Sequence, residues 1–397
     1  MPLISGDCPN KFQHVREAFE TNFTKHNELG ASLCIFKDGE KVVDLWGGHT
    51  DTKKTKPWEE NTMSVVFSCT KAMVSLCAHI LIDRGQLSLD EPVATYWPEF
   101  AQNGKEDCTV RHMLSHQSGV PAVRAPVKPG GYYDFDYMAK RLAKEKPFWT
   151  PGTDAGYHMI TFGWTVGELV RRVSGKSLGQ FFNDEIAAPL GADFHIGLPD
   201  REFSRMSKLV MFKPGPQDIS TDFVKGLMSN PMGIQFLALM NSGAHHPDLP
   251  AAWRAQIGGG GGIANARAMA TIFNALRDDT LLSEKRRADM ASIQIETERD
   301  QTLLIPSRFA QGFMLSIDNR ATHTLPGHSA ILGAKAYGHV GAGGSVTFYD
   351  PECDMAFAYS MNRMGGGILL NERGQGVVDA AYAALGYSEI RDGAWQM

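Results

Sequence analysis

The 397-residue sequence carries no large surplus of charge, no pairing pattern among its cysteines and no long apolar run. Lys and Arg number 39 against 44 Asp and Glu, a formal net charge of −5. With no basic stripe or cluster, no nucleic-acid partner is expected. The six cysteines (Cys8, Cys34, Cys69, Cys77, Cys108, Cys353) are scattered without CxxC spacing. In so long a chain they read as reduced, mostly buried thiols of a cytoplasmic protein, not as a disulfide framework. The longest nearly apolar run, Ala72 to Ile82, contains Ser75 and His79 and is too short to span a bilayer, so no membrane partner is expected. The opening residues lack a basic segment followed by an apolar one, so no secretory signal is read there. His112 and His116 stand four apart, but Met113 rather than Glu follows the first, which removes the zinc-protease pattern. A phosphate loop ending at Lys176-Ser177 would need glycine where Val170 stands. No metal and no cofactor are expected.

What is present is an ordinary soluble composition, 43% hydrophobic and 21% charged. The length suits two lobes, or one core with a large insertion. Phe12, Val15, Phe19 and Phe23 recur at helical spacing. Two β-rich runs then flank Asp38-Gly39, a hairpin signal. Residues 64 to 84 read as one helix that Gly85 stops. From about 88 to 300 the pattern is mainly helical, with candidate helices at 109–116, 134–144, 161–174, 178–187 and 265–277. Strands return in "FAQGFMLSI", "AKAYGHV", "GSVTFYD" and "MAFAYSM", and a last helix covers about 371 to 385. The expected fold is therefore mixed α/β (α+β). An antiparallel sheet is flanked by N- and C-terminal helices (residues 1–87 and 301–397), with a large, mainly helical inserted lobe (88–300). A cleft between the two would be the natural place for an active site.

The chemistry starts in "FSCTKAMVSL". Ser68 and Lys71 form S-x-x-K at a helix start, and three-residue spacing puts both side chains on one helical face, about 5–6 Å apart at Cβ. A serine hydroxyl needs a base to become a nucleophile, and a lysine among apolar neighbours (Val66, Phe67, Met73, Val74) can be that base. The helix N-terminus adds N–H groups that favour a developing oxyanion. In "PGTDAGYHMITFGW", Tyr157 follows a Pro-Gly loop and could share a proton with that pair. In "YGHVGAGGS", dense glycines at a strand end allow close approach of backbone to a ligand. Trp164, about two helical turns after Tyr157, is the aromatic expected to line an acyl pocket. Gly175-Lys176-Ser177-Leu178-Gly179 matches G-x-S-x-G but lacks the strand that a nucleophile elbow requires.

Taken in order, S-x-x-K, a Tyr after Pro-Gly and an H-x-G strand resemble the serine β-lactamase/penicillin-binding-protein superfamily. "TVRHMLSHQSGV" is similar to its "LLxHxSGL" stretch, and "GGGGGIANARAMATIF" to its glycine-rich turn before a helix. "SCTKA", "YHMITFGW" and "GHVGAGGS" resemble most the family VIII carboxylesterases. The likeness runs from about residue 25 to 385 and implies a β-lactamase/transpeptidase-like fold. It implies Ser68 as the acylated nucleophile, Lys71 as base and Tyr157 as proton partner, with the backbone N–H groups of Ser68 and Ala342 as oxyanion hole. The substrate side would comprise His339 and Gly341 of the strand triplet, Met159 and Trp164. Two departures matter. The lactamases carry Y-x-N where Met159 stands, and K-T-G where His339-Val340-Gly341 stands. Losing that Asn and Lys leaves no fixed cation for a substrate carboxylate. The resemblance thus implies a serine carboxylesterase acting on neutral, short-chain esters as small-molecule partners. A β-lactamase, D-peptidase or acyltransferase using the same residues is the runner-up. A catalytically silent binding protein of this fold is the rival from another class.

Overall fold

Helix Gln13–Thr24 turns Val15 and Phe19, both fully buried, onto a sheet laid down by the rest of the two chain ends. The computed structural model describes residues 4–215, 221–323 and 327–397. Its main sheet has nine antiparallel strands in the order β1-β3-β2-β12-β11-β10-β9-β8-β7. These are β1 Ile4–Asp7, β2 Gly30–Lys37, β3 Glu40–Gly48, β7 Ile295–Thr297, β8 Ser307–Phe309, β9 Met314–Leu315, β10 Tyr337–Val340, β11 Val346–Asp350 and β12 Met355–Met361. The β2–β3 turn is Asp38-Gly39, with φ of 54° and 84°, the left-handed pair that a tight hairpin needs. Hairpins from opposite ends of the chain join where Leu33 pairs with Tyr359.

Alternation along β2 distributes the two faces. Ala31, Leu33 and Ile35 pack under the first helix and the last, Glu372–Ala384. Cys34 points the other way, into a second core shared with helices Ala266–Asn274, Cys69–Asp83 and Thr161–Ser174. Helix Cys69–Asp83 is mostly apolar, and each residue from Cys69 to Leu81 is buried, which makes it the central core helix. A small sheet, ordered β4-β6-β5, joins Ser64–Phe67, Gly262–Ala264 and Phe194–Ile196.

The structure differs from the sequence reading in three places. Residues 64 to 84 are not one helix: 64–67 form β4, paired with β6, and the helix begins only after it. "FAQGFMLSI" is two strands, because Gly312 at φ 87° breaks it. The bounds 88–300 divide what packs together, since Ala266–Asn274 lies on β2, β11 and β12 and β7 is the outermost strand of the main sheet. All six cysteines are free and five are buried. Among the described residues no helix is long and apolar enough to cross a membrane.

Candidate active site

The change from β4 to helix Cys69–Asp83 takes place at Phe67, whose φ of 47° is left-handed. For a bulky residue that conformation is strained and persists only when its surroundings hold it. Here the Thr70 hydroxyl donates to the Phe67 carbonyl and accepts from the Gly262 N–H at 2.8 Å. The result seats Ser68 at the head of the helix, half-buried on the cleft surface. Among the described residues neither the Ser68 nor the Ala342 backbone N–H donates a turn or loop hydrogen bond, which suits the pair to serving an oxyanion.

One turn on, Lys71 is completely buried. Its Nζ lies 2.9 Å from Ser68 Oγ, 2.6 Å from the Met159 carbonyl and 2.5 Å from the Gly259 carbonyl. It also sits 4.7 Å from the centre of the Tyr157 ring. Burial holds the lysine pKa well below its ordinary value. A neutral amine has two N–H bonds and one lone pair. Two carbonyls and one hydroxyl are the three partners such an amine can use, with the hydroxyl donating to it. If the amine gains a proton, the same three oxygens accept from the ammonium. The five-glycine run explains how a carbonyl comes so near: a Cβ on Gly259 would lie 2.2 Å from the Ile160 carbonyl oxygen, and one on Gly163 would lie 1.9 Å from the Gly259 nitrogen.

Tyr157 completes the cluster: its ring lies beside Lys71 Nζ, and it lines the same cleft as Ser68. Burial raises its pKa above the ordinary tyrosine range, so it is a phenol. Its ring stacks on Phe309 at 5.8 Å and meets His116 edge-on at 5.0 Å. His116 Nδ1 accepts from the His158 N–H, and the His158 ring joins Gly156, Ser118 and Val120. The "LSHQSGV" stretch therefore works as a buried buttress behind Tyr157. Burial pushes His158 down to about 3, which keeps this buttress uncharged. A residue absent from the sequence reading holds Tyr157 from the other side. Buried Asp300 accepts from the Tyr157 N–H at 3.0 Å, from Thr302 and Leu303 N–H at 2.8 Å and from the Ser307 hydroxyl at 3.1 Å. Burial pushes its carboxyl up to about 6, against those donors. Its signal was faint: one acid in "RDQTLLIP", 143 positions from the residue it holds.

Ser68, Tyr157, Met159 and Ala342 line one cleft of about 960 Å³. Of the four residues expected on the substrate side, three do not. On β10, Val340 faces the cleft, so alternation turns His339 inward, where Nδ1 donates to the Val340 carbonyl at 2.7 Å and burial pushes the ring down to about 3. His339 is thus a neutral buried residue that does not line the cleft; its ring lies 5.9 Å from that of Tyr157, and its Nε2 has no partner among the described residues. Gly341 faces the same way. A Cβ there would lie 2.1 Å from Ser345 Oγ and 2.5 Å from the Val66 carbonyl, so it allows the two strands to close on each other. Trp164 packs edge-on against Tyr132 in the helical core. Its helix starts only at Thr161, so the two-turn offset from Tyr157 does not hold. The apolar lining comes instead from Phe223, Val224 and Leu227 of helix Asp222–Ser229, with Leu239, Leu303 and Met314. The expected absence of a fixed cation also fails, because Lys25, Lys213, Arg363 and Arg373 line the cleft. Ser177 caps helix Leu178–Phe182 and lies outside it. Among the described residues no group of three His, Cys, Asp or Glu is placed to hold a metal.

Comparison with known proteins finds likenesses over nearly the whole chain. The Beta-lactamase family matches residues 15–381. The esterase/beta-lactamase LipL of Mycobacterium tuberculosis is 32% identical over 376 residues, 91% of this chain and 83% of that protein. A crystal structure of a family VIII carboxylesterase superposes with a TM-score of 0.83 at 33% identity, covering 96% of this chain and 100% of the other. A penicillin-binding protein homologue from Caulobacter crescentus does so with a TM-score of 0.82, also at 33% identity, covering 96% and 100%.

Proposed function

The chain belongs to the Beta-lactamase family, and on that footing we propose that it is a serine carboxylesterase that works through an acyl-enzyme on Ser68. The observation that carries this reading is the buried, low-pKa Lys71 amine at 2.9 Å from the Ser68 hydroxyl. Lys71 takes the hydroxyl proton as Ser68 Oγ attacks the ester carbonyl. The N–H groups of Ser68 and Ala342 receive the developing oxyanion. The proton returns through Tyr157 to the departing alcohol, and water then releases the acid by the same steps in reverse. An ester is favoured over a lactam because the Met159 thioether, on the cleft wall, offers almost no hydrogen bond to a lactam's amide side chain.

The test sets p-nitrophenyl butyrate beside a cephalosporin. The ester's kcat/KM should be higher by about ten-fold or more, the worth of one missing hydrogen bond to a charged or polar group. Faster turnover of the cephalosporin would replace the esterase reading with a lactamase one.

The same mechanism makes Asp300 a positioning residue for Tyr157. Asp300→Asn puts N–H donors opposite N–H donors and should release the segment that carries Tyr157. kcat should fall by about 10²-fold, as for a misplacement of roughly 1 Å, with KM little changed. Separate kcat and KM values, with a melting curve to show the variant folded, check this. A rise in KM at constant kcat would place Asp300 in substrate binding instead.

A further inference from the structure

Arg363 stands on the cleft wall directly after β12, beside the turn that carries Ala342. The two segments are tied together: the Gly365 N–H donates to the Gly343 carbonyl at 2.9 Å, and Arg373 donates to the carbonyls of both Arg363 and Gly343. The Arg363 side chain is only half-exposed. Among the described residues its guanidinium has no ion pair and no hydrogen bond, and its Nε is buried without a partner. A partly desolvated guanidinium left unpaired is costly, and such groups are ordinarily matched.

Glu28, the acid on which Arg363 acts electrostatically, is already used. The buried Glu28 carboxylate pairs with Arg373 at 2.9 Å and accepts from the Tyr359 hydroxyl. Among the described residues these two guanidinium groups therefore share at most one negative charge. Burial raises the Glu28 pKa against the pull of both arginines, which only enlarges the positive surplus. Around the rest of the cleft, Glu372 is the one acid among the described lining residues, and it pairs with His26 at 3.2 Å. Lys25 and Lys213 have no ion-pair partner among the described residues.

We propose that Arg363 is the binding residue for a carboxylate carried by the ester itself, either on the acid half, as in a hemiester of a dicarboxylic acid, or on the alcohol half. This rests on the esterase reading and deepens it. The apolar lining would take the carbon chain, and Arg363 would fix one end of the substrate relative to Ser68.

Three substrates test it: p-nitrophenyl butyrate, p-nitrophenyl hemiglutarate and 3-carboxy-4-nitrophenyl butyrate. They carry no carboxylate, one on the acid half and one on the alcohol half. In Arg363→Gln the ratio of charged-ester to neutral-ester kcat/KM should fall by about ten- to a hundred-fold for one of the two charged esters, the worth of a charged hydrogen bond. Arg363→Lys should recover part of that ratio, and raised salt should lower it in the wild type. Equal loss on all three esters, or a wild type that hydrolyses neither charged ester, overturns the proposal while the esterase reading stands. A wild type inert toward all three overturns the esterase reading and the proposal with it.

Discussion

Replacing Ser68 by alanine is expected to lower kcat for p-nitrophenyl butyrate by a factor on the order of 10⁶, as loss of an acylated nucleophile does. The change removes one oxygen from a half-buried position at a helix head, so the fold should survive it. What is lost is the atom that forms the acyl bond. The backbone N–H groups at positions 68 and 342 remain, so a small residual rate above the uncatalysed one is also expected. Ser177→Ala is the matching control. Ser177 accepts from the Gln180 N–H as a helix cap and lies outside the cleft, so its loss should cost some helix stability and leave turnover close to normal. Turnover measured on the three proteins side by side separates the two serines. A Ser68→Ala enzyme within ten-fold of the wild type would end the Ser68 reading.

Lys71→Arg should come next in size, with kcat down by as much as about 10⁴, the upper end of the 10²–10⁴ span of one general base. The guanidinium keeps its charge at any working pH, so it cannot take the Ser68 proton. The pH profile gives the same base a second readout. The base must be deprotonated to act, so kcat/KM should be low in acid and rise as pH climbs through the Lys71 pKa. Burial holds that pKa well below the ordinary lysine value, so the rise should be over before the pH at which an exposed lysine titrates. Tyr157 is displaced in the opposite direction, above the ordinary tyrosine range. No alkaline limb should therefore appear where an exposed tyrosine would ionise. A Lys71→Arg enzyme with near-normal turnover, or a profile that declines from neutral pH upward, would show that another group is the base.

Much of this was legible because local chemistry carried it. S-x-x-K at a helix head places two side chains by spacing alone, and the Asp38-Gly39 hairpin and terminal helices follow from turn chemistry and apolar period. What failed depends on contacts between distant segments. "SVVF" continues the apolar pattern of the helix after it, and the break at Phe67 lies at a residue type that gives no warning of positive φ. His339 has the right residue type and strand, but which face it takes is set by pairing with β11 and by Val340 beside it. Met159 was valued for its side chain, yet its carbonyl also binds Lys71, as does that of Gly259, and backbone groups have no sequence signature. Asp300 and Arg363 belong to the same class. A lone acid becomes a clamp, and a lone arginine an unpaired charge, only when the fold brings up or withholds the partner.

The most direct test is to trap the enzyme with a fluorophosphonate and locate the adduct by peptide mass spectrometry. One adduct per chain is expected, on the peptide that contains Ser68, lost in Ser68→Ala and retained in Ser177→Ala. An adduct on Ser177 or any other residue, or an enzyme that hydrolyses esters yet takes no label, would contradict the acyl-enzyme on Ser68.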